Sequence, residues 1–160
     1  MGPDGPDPSI RPNQVIALAM PHCPLDKSRR LAALNVVREH LLTDVGLRTL
    51  SPRDGRYRGG YGNSWESRDR AYHQGTVWPW LIGHFVQAHL LAHDFSDDAR
   101  QQAAQWLEPF DERLIMAGLG TLSEIHDGNA PYADRGCIAQ AWSVAEVLRA
   151  RMMVEKGCLL

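Results

Sequence analysis

Residues 71–85, AYHQGTVWPWLIGHF, place hydrogen-bonding and aromatic side chains around one Gly-Thr step. His73 and Gln74 precede Gly75, which allows a tight turn, and Thr76, which can cap a helix. The pattern predicts that His73 and Gln74 lie beside the free backbone N–H groups of a helix N-terminus, where anions and hydroxyl-rich ligands bind. The alternative is that both side chains only satisfy backbone groups of the loop.

Two tryptophans follow this step. Indole side chains in such a segment are more often part of a core than platforms for a ligand, and we expect Trp80 in the core. Trp78 is the better candidate for contact with a ligand.

A carboxylate in a second loop is the best candidate for acid–base chemistry. Glu124 lies in SEIHDG, where Asp127 and Gly128 indicate a turn. A carboxylate placed there can act as a general base that activates water. The spacing alone favours the alternative that Glu124 caps a helix or pairs with Arg135.

Asp69 is a similar carboxylate with a simpler interpretation. It is flanked by Arg68 and Arg70, so we expect it to form a salt bridge.

Histidines and cysteines do not indicate a metal site or a cofactor. His89 and His93 are four residues apart on one helix, but the Glu of HExxH and a third ligand are missing, which favours a solvated helix. The three cysteines, at positions 23, 137 and 158, contain no CxxC pair, which argues against a disulfide framework and suits a reducing compartment.

The composition is that of a globular protein with room for one domain. The chain has 160 residues, 44% of them hydrophobic, and a formal net charge of −2. This charge does not favour a nucleic-acid partner. The N-terminus does not resemble a signal peptide, and no apolar stretch approaches membrane-spanning length, so we expect a cytoplasmic protein without a membrane partner.

Five helical segments and no credible alternating strand predict an all-α fold. The segments, in chain order, cover residues 11–21, 26–42, 76–93, 96–114 with a break at Pro109, and 137–155. The last has the clearest apolar face.

The lengths of the connections predict where the loops meet. Short links join segments one to two and three to four, and short links make antiparallel neighbours. Long loops separate the other pairs, so both long loops and the starts of segments one, three and five should share one face. That face would collect Arg11, Asn13, Gln14, His73, Gln74, Trp78, Glu124 and Arg135.

Five ordered motifs resemble the C-terminal, amylo-α-1,6-glucosidase part of the glycogen debranching enzyme family. They are SIRPNQ, LLTDVGLRTLSPRDGRYRGGYG, RDRAYHQGTVWPWLIG, LSEIHDG and RGCIAQAWSVAEVLRA, and together they cover about residues 7 to 152. The resemblance implies an (α/α)6 toroid of six helical hairpins, of which this chain would form about five helices. It also implies a flexible lead over 1–10, the barrel segment over 11–155 and a tail over 156–160.

The same resemblance implies the chemistry. It is the inverting hydrolysis of α-1,6-linked glucose at branch stubs of glycogen or another branched α-glucan, with Glu124 as general base and no cofactor or metal. The implied substrate-binding residues are Arg11, Asn13, Gln14, Arg48, Tyr72, His73, Gln74, Trp78 and Arg135. The general acid would lie in the N-terminal part of the barrel, outside this chain, which makes that part the expected partner. The alternative is a non-catalytic carbohydrate-binding or assembly fragment that is active only with the missing half.

A partial barrel has a physical consequence. Segments one and five would lack the neighbours that cover their apolar flanks in the full family fold. Exposed apolar patches drive association, so we expect the isolated chain to dimerise or aggregate.

Overall fold

The computed structural model describes residues 5–160, so the first four residues of the predicted lead lie outside the described part. Seven helices and five short strands follow one another within it. The helices are α1 (Asn13–Ala19), α2 (Lys27–His40), α3 (Trp65–Tyr72), α4 (Leu81–Ala92), α5 (Asp97–Leu107), α6 (Pro109–Arg113) and α7 (Ala141–Lys156). The strands are β1 (Leu42–Thr43), β2 (Gly46–Arg48), β3 (Val77–Trp78), β4 (Ile125–His126) and β5 (Asp134–Arg135).

Side-chain caps determine where three of the helices begin. Asp26, Ser64 and Ser96 accept hydrogen bonds from backbone N–H groups in the first turns of α2, α3 and α5. Such a cap replaces an intrahelical partner that the first turn lacks. At the other end of the chain, Gly157 adopts a left-handed conformation that terminates α7.

Helix α4 is the centre of the core. Most of its residues are buried, because α1 and α7 pack against it most extensively and α2 and α5 also contact it. Its all-round apolar character follows from this position. The expectation of a helix from Thr76 is wrong at its start, since residues 77–78 form β3 and α4 begins only at Leu81.

The expectation of an all-α fold is wrong in part, because five strands form one antiparallel sheet in the order β1-β2-β3-β4-β5. Each strand is only two or three residues long, too short for an alternating pattern to show in the sequence. Gly46 is required where the first hairpin meets β3: its φ is +132°, and a Cβ there would lie 2.5 Å from the Trp78 carbonyl oxygen.

The structure thus shows a mostly helical domain with a small sheet, and the toroid remains a proposal. Several large apolar side chains of α1 and α7 and their flanks are exposed: Ile16, Met20, Ile138, Trp142 and Leu148. Within residues 5–160, none of the helices has the length and apolarity needed to cross a bilayer.

Candidate active site

Glu124 lies immediately before β4, and both of its carboxylate oxygens are held by groups from other elements. The hydroxyl of Tyr72, the last residue of α3, donates to Oε1 at 2.9 Å. The backbone N–H of Cys137 donates to Oε2 at 3.0 Å. The N–H of Glu124 in turn donates to the carbonyl oxygen of Cys137 at 2.9 Å, so backbone and side chain are positioned together.

Tyr72 remains a hydrogen-bond donor over the whole physiological range. Burial raises the pKa of its hydroxyl to about 12, and the hydrogen bond to Glu124 and the charge of that carboxylate act in the same direction. The donated hydrogen bond fixes the orientation of the Glu124 carboxylate, and a general base has to be positioned in this way to accept a proton.

The pairing of Glu124 with Arg135 that the spacing allowed is not found. Arg135 instead binds Asp127, with its guanidinium 2.8 Å from Oδ2, and this ion pair raises the pKa of Arg135. Asp127 also accepts the backbone N–H of Tyr61 at 2.7 Å, which ties the first long loop to the second. Glu124 is therefore left to face an open space.

That open space is a cavity of about 350 Å³, which we call the carboxylate cavity. Its lining combines three aromatic and three charged side chains: Tyr61, Trp65, Arg68, Asp69, Tyr72 and Glu124. A few polar groups among aromatic rings are the usual composition of a small-molecule site.

A second cavity of about 350 Å³, the indole cavity, lies beside the first. Its lining residues are Pro12, Asn13, Ile16, Thr49, His73, Trp78, Trp80, Leu81 and Trp142. The starts of α1, α4 and α7 meet here, as the alternation of link lengths predicts. The two cavities are neighbours, because Tyr72 of the carboxylate cavity and Trp78 of the indole cavity are in edge contact. Their ring centroids are 4.9 Å apart.

Trp78, Trp80 and His73 differ from expectation in their burial and surroundings. Trp78 is buried, and its ring lies parallel to that of His73 with centroids 6.4 Å apart. Trp80 is only half-buried; it packs against the core and also lines the indole cavity. His73 is the C-cap of α3, so the predicted position of His73 and Gln74 at a helix N-terminus is wrong.

Four of the predicted substrate-binding residues use their polar groups to hold the walls. Arg11 donates to the carbonyl oxygen of His73 at 2.7 Å and to the side-chain oxygen of Gln74 at 2.9 Å. Gln14 donates to the carbonyl oxygen of Arg11 at 3.1 Å. Arg48 donates to the carbonyl oxygen of Gly128 at 2.9 Å and thereby joins β2 to the second long loop.

A buried network lies beneath the Glu124 strand. The hydroxyl of Ser123 donates to Asp134 at 2.8 Å, and the ring of His126 lies 3.5 Å from the same carboxylate. Burial lowers the pKa of His126 below its usual value although Asp134 acts in the opposite direction. Ser123 and His126, which flank Glu124 in the sequence, thus both contact Asp134 of β5 and connect β4 to β5.

The two helical histidines form neither a metal site nor a solvated face. His89 is buried against Trp106 and His93, with ring centroids 4.7 and 4.3 Å apart. Burial lowers the pKa of His89 to about 4, with the charge of His93 acting the same way. No cluster of three metal-ligating side chains occurs among residues 5–160.

The sequence interpretation missed one wall of the carboxylate cavity. The expectation of one unbroken loop before residue 76 is wrong over α3, where Ser64 is a good cap and the eight residues that follow contain no glycine, proline or β-branched residue. The expected salt bridge of Asp69 is also wrong: none of the ion pairs within residues 5–160 involves Asp69.

Comparison with known proteins defines the class. The family described as amylo-alpha-1,6-glucosidase matches residues 2–149, and the chain belongs to that family. The glycogen debranching enzyme of Saccharomyces cerevisiae is 35% identical over an alignment of 105 residues, which covers 62% of this chain and 7% of the yeast protein. The chain thus spans a small part of this relative.

Proposed function

We propose that this chain supplies the general base and part of the sugar site of a debranching-type α-1,6-glucosidase. The observation that carries the proposal is the position of Glu124, held by Tyr72 and the Cys137 N–H and facing the carboxylate cavity. The description of the family supports the choice of bond, which we propose to be the α-1,6 link of a single glucose at a branch stub of glycogen or a related α-glucan.

In the proposed reaction, Glu124 accepts a proton from water while the water oxygen attacks the anomeric carbon. The bond from that carbon to the departing oxygen breaks, and an acid protonates the oxygen. Attack from the face opposite the leaving group inverts the configuration, and the two carboxyl groups stand roughly 6.5–9.5 Å apart to leave room for the water. We place the general acid outside this chain, in the N-terminal part of the barrel.

The proposed substrate-binding residues divide into two groups by their contacts. Tyr72, His73, Trp78 and Asn13 line the cavities and would meet the sugar directly. Arg11, Gln14, Arg48, Gln74 and Arg135 are engaged with other groups of the chain, so we propose that they act by holding the walls.

The proposal includes a partner and a location. The exposed apolar side chains Ile16, Trp142 and Leu148 are suited to contact the remaining part of a toroid, which would also bring the acid. The cysteines at positions 23, 137 and 158 are all free thiols, which suits a cytoplasmic setting.

The second candidate function is a carbohydrate-binding or assembly fragment without chemistry of its own. It is favoured by the lining of the two cavities, since among residues 5–160 the only acidic residue that lines the carboxylate cavity besides Glu124 is Asp69, to which the proposal assigns no role as proton donor. Both candidates predict sugar binding, and only the first predicts that Glu124 is needed for turnover.

The test is a chimera of the yeast debranching enzyme in which the matching segment is replaced by that of this chain. We expect the chimera to release glucose from a branched limit dextrin. Glu124→Gln should lower kcat by about 10²–10⁴-fold and change KM little, because general base assistance acts in the transition state. Glu39→Gln, at an exposed carboxylate that lines neither cavity, is the matched control.

Two results would count against the proposal. Full turnover by the Glu124→Gln chimera removes Glu124 from the role of base. A folded chimera that binds dextrin but releases no glucose, with Glu124 intact, supports the binding or assembly function instead.

A further inference from the structure

Helix α3 presents three side chains to the carboxylate cavity for which the proposed function has no role. Trp65, Arg68 and Asp69 are spaced i, i+3 and i+4, so they share one face of the helix. All three line the same cavity as Glu124. They form a wall that a ligand beside Glu124 would meet.

Trp65 is unusual for a large apolar side chain. It is 70% exposed, although tryptophan is highly buried on average. It is the first residue of α3 and lies outside the hydrophobic core and its partly buried rim. An exposed indole at the edge of a polar cavity is suited to pack against the apolar face of a sugar ring.

Arg68 and Asp69 are exposed, and no side-chain partner is found for either of them within residues 5–160. The other charged groups around the two cavities behave differently: Arg11 and Arg48 bind carbonyl oxygens, and Asp127 binds Arg135. The fold therefore leaves one donor and one acceptor available at this wall. Vicinal sugar hydroxyls need both, since each hydroxyl donates and accepts.

We propose that Trp65, Arg68 and Asp69 form a glucose-binding wall of the cavity that Glu124 also lines. Trp65 packs on the ring of an α-1,6-linked glucose unit, Asp69 accepts hydrogen bonds from its hydroxyls, and Arg68 donates to them. The inference rests on the proposed function, which supplies the class of sugar. It adds a binding role for the first five residues of α3, to which the proposed function assigns none. The cavity volume of about 350 Å³ falls within the range of small-ligand sites.

The experiment titrates the complete 160-residue chain with isomaltose and follows the indole N–H resonances of its five tryptophans by NMR. Trp65→Phe assigns the resonance of Trp65. We expect isomaltose to shift the Trp65 resonance and to leave that of Trp106, which lines neither cavity, unchanged. Maltose, with an α-1,4 link, is the comparison sugar and should bind more weakly.

Matched variants on the same helix test the individual contacts. Arg68→Ala and Asp69→Asn should each raise the Kd for isomaltose by about tenfold or more, the effect of losing a hydrogen bond to a charged group. Arg70→Ala and Glu66→Gln change another arginine and another carboxylate on α3 that do not line the cavity, and they should leave the Kd unchanged.

The experiment distinguishes a failure of the glucose-binding wall from a failure of the proposed function. If isomaltose binds and Tyr72→Phe weakens binding, but Trp65→Ala, Arg68→Ala and Asp69→Asn bind like the unmodified chain, the wall is overturned and the proposed function stands. If no resonance shifts with isomaltose, both the wall and the sugar site of the proposed function are overturned for this chain.

Discussion

At the scale of single residues, a glycine determines where the Glu124 carboxylate can lie. Gly136 has φ +66°, and a Cβ added to it would lie 2.5 Å from Oε2 of Glu124. The carboxylate of Glu124 therefore occupies the space that a side chain at position 136 would take, and it lies next to the Cys137 N–H that donates to it. A left-handed glycine here serves both the turn and the site.

Gly136→Ala should consequently damage the site more than the fold. We expect a destabilisation of about 1 kcal/mol from the positive φ, and a larger loss of kcat in the yeast chimera because the carboxylate is displaced. Chemical denaturation and glucose release measure the two effects. Gly60→Ala, where an added Cβ meets nothing within 4 Å, is the control and should alter neither.

Tyr72 offers a second residue-scale prediction. Tyr72→Phe keeps the ring contacts with Trp78 but removes the 2.9 Å hydrogen bond to Glu124. We expect a stability loss of about 1 kcal/mol and a fall in kcat of the chimera. Tyr57→Phe removes a comparable bond, to Asn129 at 3.0 Å, and should reproduce the stability loss without the loss in kcat. Equal kcat in both variants would show that Tyr72 has no role in positioning the base.

At the scale of elements, the sheet and α3 join the two long loops into one site. Strand β4 places Glu124, β5 brings back the Cys137 N–H, and α3 ends at Tyr72. Beneath them, α4 supplies the buried support. The stability of α4 therefore affects the indole cavity, which Leu81 lines, and the sheet, which α4 contacts through β2.

Buried His89 makes the packing of α4 sensitive to pH. Its folded-state pKa of about 4 lies below the unfolded value near 6.5, so the unfolded chain binds the proton more readily between these values. Stability should fall as the pH drops from above 6.5 towards 4, by up to about 3 kcal/mol from this group alone. Urea denaturation at pH 7.5 and 5.0 measures the loss.

The variant His89→Gln isolates this effect. It should reduce the difference in unfolding free energy between pH 7.5 and 5.0 by the part that His89 contributes, while buried His126, whose pKa is also lowered, keeps its own contribution of the same sign. His22→Gln changes an exposed histidine and should keep the difference. An unchanged pH dependence in His89→Gln would assign the effect to other groups.

At the scale of the whole molecule, α1 and α7 pack on α4 and leave apolar side chains in water. Met20 is 55% exposed and Leu148 is 56% exposed. We expect the isolated chain to associate through these flanks. Analytical ultracentrifugation should show a concentration-dependent dimer or larger species, and Met20→Gln with Leu148→Gln should reduce it.

A control distinguishes this surface from apolar exposure in general. Ile115 is 74% exposed but belongs to the loop after α6 and to neither α1 nor α7, so Ile115→Gln should leave association unchanged. A monodisperse unmodified chain that melts cooperatively would contradict the idea that a larger barrel normally covers these flanks.

A further prediction at this scale concerns the activity of the isolated chain. On the proposal that another part of the barrel supplies the general acid, we expect essentially no glucose release from a branched limit dextrin by the isolated chain. A coupled glucose assay with the chimera as positive control measures this. Glucose release by the isolated chain that is abolished by Asp69→Asn would show that Asp69, in the same cavity as Glu124, is the missing acid.

Local patterns in the sequence were sufficient for some features and not for others. Most helices follow from apolar periodicity and caps such as Ser96, and the ordered motifs were sufficient to recognise the family, which the match over residues 2–149 confirms. The alternation of long and short links predicted that the starts of α1, α4 and α7 meet. These features depend on neighbours in sequence or on the connectivity of the chain.

Tertiary structure alone decided the rest of the site. The two- and three-residue strands exist because their partners are brought together from distant loops, as Val77 with His126. For the same reason Arg135 binds Asp127 instead of Glu124, Asp69 faces a cavity instead of an arginine, and His89 lies in the core. Contacts across many residues of chain depend on the loops that close them, and no local spacing contains that information.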